Sequence, residues 1–143
     1  MVGILVVSHG RLAEALISSV EFLVGELKRI KGLSIWPKES KKEIKHRIQQ
    51  KMAEIDDGDG VVILTDIMGG TPTNIALSFL EDEKVEVVTG VNMPMLLTLS
   101  SYREGRSLKE IVRLVKRSGR RSITLAKEVF GRKRKVTGEA EKN

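Results

Sequence analysis

His9 and Asp66 are the two residues whose types and surroundings offer chemistry. The 143-residue sequence holds two histidines and no cysteine, so thiolate catalysis, disulfide staples and Cys-ligated metal sites are excluded. His9 stands in Ser8-His9-Gly10, at the end of the apolar run Val2 to Ser8. Asp66 opens Asp66-Ile67-Met68-Gly69-Gly70-Thr71-Pro72, directly after the apolar run Val61 to Thr65. A third such junction is Gly90-Val91-Asn92-Met93-Pro94, after Val85 to Thr89. A neutral imidazole is a nucleophile when one ring nitrogen is free and the other holds its proton. An adjacent carboxylate fixes that tautomer and stabilises the cation formed after attack. Gly69 and Gly70 let backbone approach closely, and a helix opened by Thr71-Pro72 aims N–H groups and its positive end at the same place. Nucleophile, orienting group and anion cradle together suit phosphoryl transfer through a phosphohistidine, with no metal and no cofactor required.

Elements must bring these segments together. The short apolar runs rich in β-branched residues, Val2 to Ser8 and Val61 to Thr65, predict buried strands; Val85 to Thr89 predicts a further strand, and Ser34 to Trp36 a brief fourth. Between them the period changes. Leu12, Leu16, Val20, Leu23 and Leu27 predict one helical face, and Ile44, Ile48, Met52 and Ile55 another, opened by the capping box Ser40–Glu43. Thr71 is expected as N-cap and Pro72 as first residue of a helix carrying Ile75, Ala76, Phe79 and Leu80. Pro94 opens a helix through Leu99. Ser107–Glu110 is a second capping box, for a helix that Gly119 is expected to stop, and Ser122 to Leu125 reads as a last strand. The alternation predicts an α/β fold: a doubly wound, mostly parallel open sheet with helices on both faces. If the first and third strands are neighbours, His9 and Asp66 lie side by side at the strand ends, where such sheets bind ligands.

Other residues have blander readings. Ser8 either donates to the phosphoryl group or merely finishes its strand. Met68, Asn92 and Pro94 are expected on the pocket rim, with Met93 and Met95 on a rim or partner surface. His46, two positions from Ile44 on its helix, faces solvent and is given no role.

The net charge of +6 invites a nucleic-acid reading. Residues 1–102 carry 11 Lys and Arg against 14 Asp and Glu, whereas residues 103–143 carry 14 against 5. The basic charge therefore belongs to the last helix and the end of the chain, not to the predicted site. Residues 1–130 are expected to form one domain and residues 131–143 a basic, disordered tail containing Arg132 to Lys135. No apolar run reaches the length of a membrane span, and Ile4 to Val7 follows Met1 without a charged n-region, so a cytoplasmic location is expected.

Three segments also carry a family resemblance. Ile4-Leu-Val-Val-Ser-His9-Gly, Asp66-x-x-Gly-Gly-Thr-Pro-Thr-Asn74 and Gly90-Val-Asn-x-Pro-Met95 resemble, in order and spacing over about residues 1–125, the IIA domain of the mannose/fructose/sorbose-type sugar phosphotransferase system. The resemblance implies a phosphoryl carrier in which His9 takes phosphate from an HPr-type phosphohistidine carrier protein and passes it to a IIB subunit. It implies Asp66 as partner of His9, and Gly70 and Thr71 as part of the phosphate pocket. It further implies a homodimer formed by exchange of a C-terminal strand, for which Ser122 to Leu125 is the counterpart, and association with membrane IIC and IID components without insertion. No IIB domain is fused here, so the acceptor is expected to be a separate chain. The alternative is a regulatory IIA-like protein, phosphorylation-controlled, whose basic C-terminal region contacts a partner or nucleic acid. Few aromatic residues (3%) argue against single-strand recognition. A histidine phosphatase wants an arginine before its histidine, where this chain has Ser8, and a chelatase leaves the Gly-Gly-Thr-Pro loop unexplained.

Overall fold

Each long apolar run becomes a strand, and each change of period becomes a helix laid across the sheet. The computed structural model describes residues 1–131. In chain order the elements are β1 (Gly3–His9), α1 (Leu12–Val24), β2 (Ile30–Ile35), α2 (Lys41–Ile55), β3 (Val61–Thr65), α3 (Thr71–Leu77), β4 (Val85–Thr89), α4 (Met93–Tyr102) and α5 (Leu108–Arg121). The four strands form one parallel sheet in the order β2-β1-β3-β4. The chain therefore winds outward from β1 to β2, then crosses back to β3 and β4, so the winding direction reverses between β1 and β3. In register, Val7 pairs with Thr65, and Thr65 with Thr89.

Strand alternation divides the core between two layers. Ile4, Val6, Val62 and Leu64 pack against Ala13 and Val20 of α1, Met95, Leu96 and Leu99 of α4, and Ile111 and Val115 of α5. Leu5, Val7, Val61 and Ile63 face the other way, against Ile44, Ile48 and Ile55 of α2 and Ile75 and Ala76 of α3. Helices thus cover both faces, as the chain order predicts. Arg103, the C-cap of α4, is buried with no carboxylate partner among the described residues. Its guanidinium donates to the carbonyls of Val2, Lys28 and Arg29, tying α4 to the start of β1 and the α1–β2 connection. Burial, and the neighbouring Arg29 charge, lower its pKa.

Several expectations are corrected. β2 begins at Ile30 rather than Ser34. Its first half is only partly covered, so Lys31 and Gly32 hide the strand in the sequence. The inner face of α1 is set by Ala13 and Val20, while Leu12 and Leu23 are exposed. Gly32 lets α1 lie close to β2: a Cβ there would meet the Ile17 side chain at 3.1 Å and the Glu14 backbone at 3.5 Å. Gly119 does not stop α5. It is buried mid-packing against Met95, and the helix runs on to Arg121. Ser122 to Leu125 form no strand within the single chain. They lead instead into a short helical stretch at 126–131. The expected basic tail lies, apart from Gly131, outside the described residues.

Candidate functional site

The reversal between β1 and β3 sets the first residues beyond each strand against one another. One oxygen of Asp66, Oδ2, accepts the His9 backbone N–H at 2.8 Å and lies 2.7 Å from His9 Nδ1. The other oxygen accepts the Ile67 N–H at 2.9 Å. The carboxylate is therefore clamped by backbone before it touches the ring. Desolvation alone would push the Asp66 carboxyl up. The bonds from the His9 backbone and ring, with the Ile67 N–H, outweigh it and hold the group below the ordinary value. An ionised carboxylate only accepts, so Nδ1 carries the imidazole proton and Nε2 keeps a free lone pair. The His9 side chain is 52% exposed and that of Asp66 only 10%, so the nucleophilic edge faces out while the orienting group is enclosed.

The loop after Asp66 is held in place by a relay of hydroxyls. Thr73 donates to the Ile67 carbonyl at 2.6 Å, which leaves Thr65 to donate to Thr73 Oγ1 at 2.7 Å. This brings Gly70 against the imidazole: a Cβ on Gly70 would lie 2.7 Å from His9 Cε1 and 3.3 Å from Nε2. Gly70 has φ −81°, open to any residue, so the need for glycine here is close approach alone. Gly69, with φ +85°, supplies the turn. Gly70 is also the N-cap of α3, so the helix begins at Thr71, one residue earlier than expected. Beside the ring opens a cleft of about 610 Å³, walled by His9, Gly10 and Thr71 on one side and by Trp36, Pro37, Glu39 and Lys41 on the other. Glu39 is fixed there by both its oxygens on Arg47 Nη1, at 2.7 and 2.6 Å.

This geometry has relatives. The family model for the fructose IIA component of the phosphotransferase system (PTS) matches residues 3–116. The chain belongs to this family. The fructose-specific EIIA component of Bacillus subtilis is 30% identical over 129 residues, 90% of this chain and 88% of that protein. The mannose-specific EIIAB component of Escherichia coli is 33% identical over 128 residues, 88% of this chain but only 40% of that protein. The crystal structure of an EIIA component from Streptococcus agalactiae superposes with a TM-score of 0.81 at 26% identity, covering 90% of this chain and 99% of that one. The IIA family is one of phosphotransferases, and this chain is a phosphoryl-carrier component of a sugar phosphotransferase system. The regulatory alternative is not the reading these relatives favour.

Within this IIA component, His9, Asp66, Gly69, Gly70 and Thr71 converge as the sequence predicts, and Met68 stands exposed on the same loop. Asn92 and Pro94 do not join them, and Ser8 takes the structural one of its two readings. Ser8 is fully buried, and its Oγ accepts the Ala13 N–H at 2.7 Å, so it anchors the start of α1. Asn92 is the N-cap of α4, accepting the Met95 N–H at 3.1 Å and donating to the Gly119 carbonyl at 3.3 Å. Pro94 lies in the first turn of α4, where its carbonyl accepts from Ser118 Oγ. A residue that starts a helix at a strand end looks, in sequence, like a residue that lines a pocket there. His46 is exposed, as expected. The far wall of the cleft, Trp36 to Lys41, went unpredicted. The strand-end rule applied to β2 would have found it, since His9 pairs in register with Ile35. Among the described residues no cluster of His, Asp and Glu could hold a metal ion, and no helix is long and apolar enough to cross a membrane.

Proposed function

We propose that His9 is the phosphorylated residue of this IIA component and Nε2 the atom that carries the phosphoryl group. The observation that carries the reading is the 2.7 Å contact between His9 Nδ1 and Asp66 Oδ2, which leaves Nε2 as the free nucleophile at the cleft. In the forward step Nε2 attacks the phosphorus of a phosphohistidine on an HPr-type carrier protein. The new N–P bond forms as the donor's breaks, and the donor imidazole leaves with the bonding pair. The His9 ring becomes cationic, and Asp66 stabilises that charge through the Nδ1 proton. The second step runs the same exchange toward a IIB component. Nearby backbone N–H groups of Gly70 and Thr71 meet the phosphoryl oxygens. Met68, exposed on the loop after Asp66, and Trp36, exposed on the cleft wall, give the partner proteins apolar contact. The exchange takes place in the cytoplasm. A homodimer is part of the proposal: β4 is an edge strand, and its free edge is where a second copy pairs.

Incubation with a phosphorylated HPr-type carrier is expected to place one acid-labile, base-stable phosphate on the chain. His9→Ala is expected to take up none while His46→Ala is labelled normally. Label on His9→Ala contradicts the assignment.

A further inference from the structure

Ile67, the residue after Asp66, is held from both sides. Its N–H donates to Asp66 Oδ1 at 2.9 Å, and its carbonyl accepts the Thr73 hydroxyl at 2.6 Å. Asp66 Oδ2 in turn meets the His9 backbone N–H and Nδ1. A single residue therefore links a hydroxyl on α3 to the carboxylate that orients the imidazole. The Ile67 side chain also reaches the glycine beside the ring: a Cβ on Gly70 would lie 3.2 Å from Ile67 Cγ2, much as it would lie 3.3 Å from His9 Nε2. Ile67 cannot shift without moving Asp66, Gly70 or both.

Thr73 fixes the far end of this chain of bonds. It is buried, as is Thr65, the last residue of β3, and neither is among the residues that wall the cleft. A hydroxyl has one proton, and Thr73 commits its own to the Ile67 carbonyl, so the bond between the two threonines runs from Thr65 to Thr73. If the Ile67 carbonyl swings away, an enclosed donor is left without an acceptor, which is costly. The two bonds in series therefore lock the loop to the end of β3. Filling space needs no such lock: two apolar side chains of the same shape replace a hydrogen-bonded pair at little cost. Two hydroxyls aimed in series supply position as well as volume.

We propose that Thr73, anchored by Thr65, is a positioning residue for phosphoryl transfer: through Ile67 it holds Asp66 on His9 Nδ1 and Gly70 against Nε2. The role rests on His9 as the phosphorylated residue. Thr73 acts on the geometry of attack, where a misplacement of about 1 Å costs on the order of a hundredfold in rate. Asp66 keeps its own bond to the His9 backbone when the Thr73 hydroxyl is removed, so the site loosens rather than comes apart. A second hydroxyl pair serves as the comparison. Thr98 and Ser118 join α4 to α5, on the opposite face of the sheet from α2 and α3.

The test is single-turnover transfer to the full chain from a saturating phosphorylated HPr-type carrier, with urea unfolding of each variant. Thr73→Val is expected to slow transfer about thirtyfold, and Thr73→Ser, which keeps the hydroxyl, to stay within about threefold of the native chain. Thr65→Val/Thr73→Val leaves neither hydroxyl of the pair enclosed and unpaired. Its urea midpoint is therefore expected above that of Thr73→Val, and its transfer equally slow. Thr98→Val is expected to lower the midpoint with transfer unchanged. The NMR signal of the His9 Nδ1 proton in the unphosphorylated chain is expected to move upfield in Thr73→Val but not in Thr73→Ser, as the bond to Asp66 lengthens. A native rate in Thr73→Val or in the double variant overturns the proposal. So does Thr73→Ser as slow as Thr73→Val, or an Nδ1 signal that Thr73→Val leaves in place. Thr98→Val slowed as much as Thr73→Val overturns it too, since lost stability alone would then account for the rate. A native chain labelled elsewhere than at His9 removes the underlying reading, whereas label at His9 with a fast Thr73→Val removes only the role of Thr73.

Discussion

At the scale of single residues, the site depends on one carboxylate doing two jobs. Asp66 joins β3 to the end of β1 through the His9 backbone and sets the imidazole tautomer through Nδ1. Asp66→Asn is expected to keep the fold but slow phosphoryl transfer by about a hundredfold or more, because an amide can present a donor where the ring needs an acceptor. Rapid-quench transfer from the carrier protein measures this. The same substitution predicts a pH effect of known sign. The folded-state pKa of Asp66 is depressed, so its contribution to stability is complete above the ordinary value of 3.8 and is lost as pH falls through the folded value. The stability difference between the native chain and Asp66→Asn, from urea unfolding, is therefore expected at pH 6 and to shrink below pH 3.8. Gly70→Ala tests close approach. Its φ suits alanine, so stability is expected to change by less than about 1 kcal/mol, while the Cβ displaces the imidazole and transfer falls at least tenfold. The meeting of His9, Asp66 and Gly70 was legible in the sequence because His9 and Asp66 each stand at the end of an apolar strand run and the Gly69-Gly70 loop follows Asp66 directly, a combination that none of the residues offers alone. Asn92 and Pro94 were misread, and Ser8 was left between two readings, because helix starts recruit the same residue types as ligand pockets.

At the scale of elements, helix ends and helix faces separated what was legible from what was not. The Ser107 capping box is present with both arms, Ser107 Oγ accepting from the Glu110 N–H and Glu110 accepting from the Ser107 N–H. Capping is a local interaction, so the local sequence reports it. β3 and β4 lie where their apolar runs place them: β3 is buried along its whole length, and β4, buried only at Val85 and interrupted by Glu86, is still bounded by its β-branched residues. The face of α1 and the role of Gly119 depend on partners far along the chain, which no local window contains. Gly119 lies under Met95: a Cβ would meet Cγ at 2.8 Å and Sδ at 2.9 Å. Gly119→Ala is therefore expected to destabilise the chain by about 1–2 kcal/mol, despite the better helix propensity of alanine, because α5 must move off α4. An unfolding midpoint raised by this substitution would return Gly119 to the role of a helix terminator.

At the scale of the whole molecule, topology turns three distant segments into one site and separates it from most of the charge. Residues 9, 36 and 66 meet because β1 lies between β2 and β3, and α2 and α3 close the cleft from one face. The basic residues gather on α5, so the whole-chain charge of +6 describes an outer surface, whereas Asp66 makes the immediate setting of His9 acidic. Strand order was legible only conditionally, since nothing local says that the first and third strands pair. Once they do, the reaction has one free nitrogen on which to proceed. The most direct measurement is therefore the phosphorylated chain observed by phosphorus–proton and nitrogen NMR. A single phosphohistidine at His9, linked through Nε2 with its Nδ1 proton retained, is the predicted result. Phosphate on Nδ1 of His9, or on His46, would contradict it.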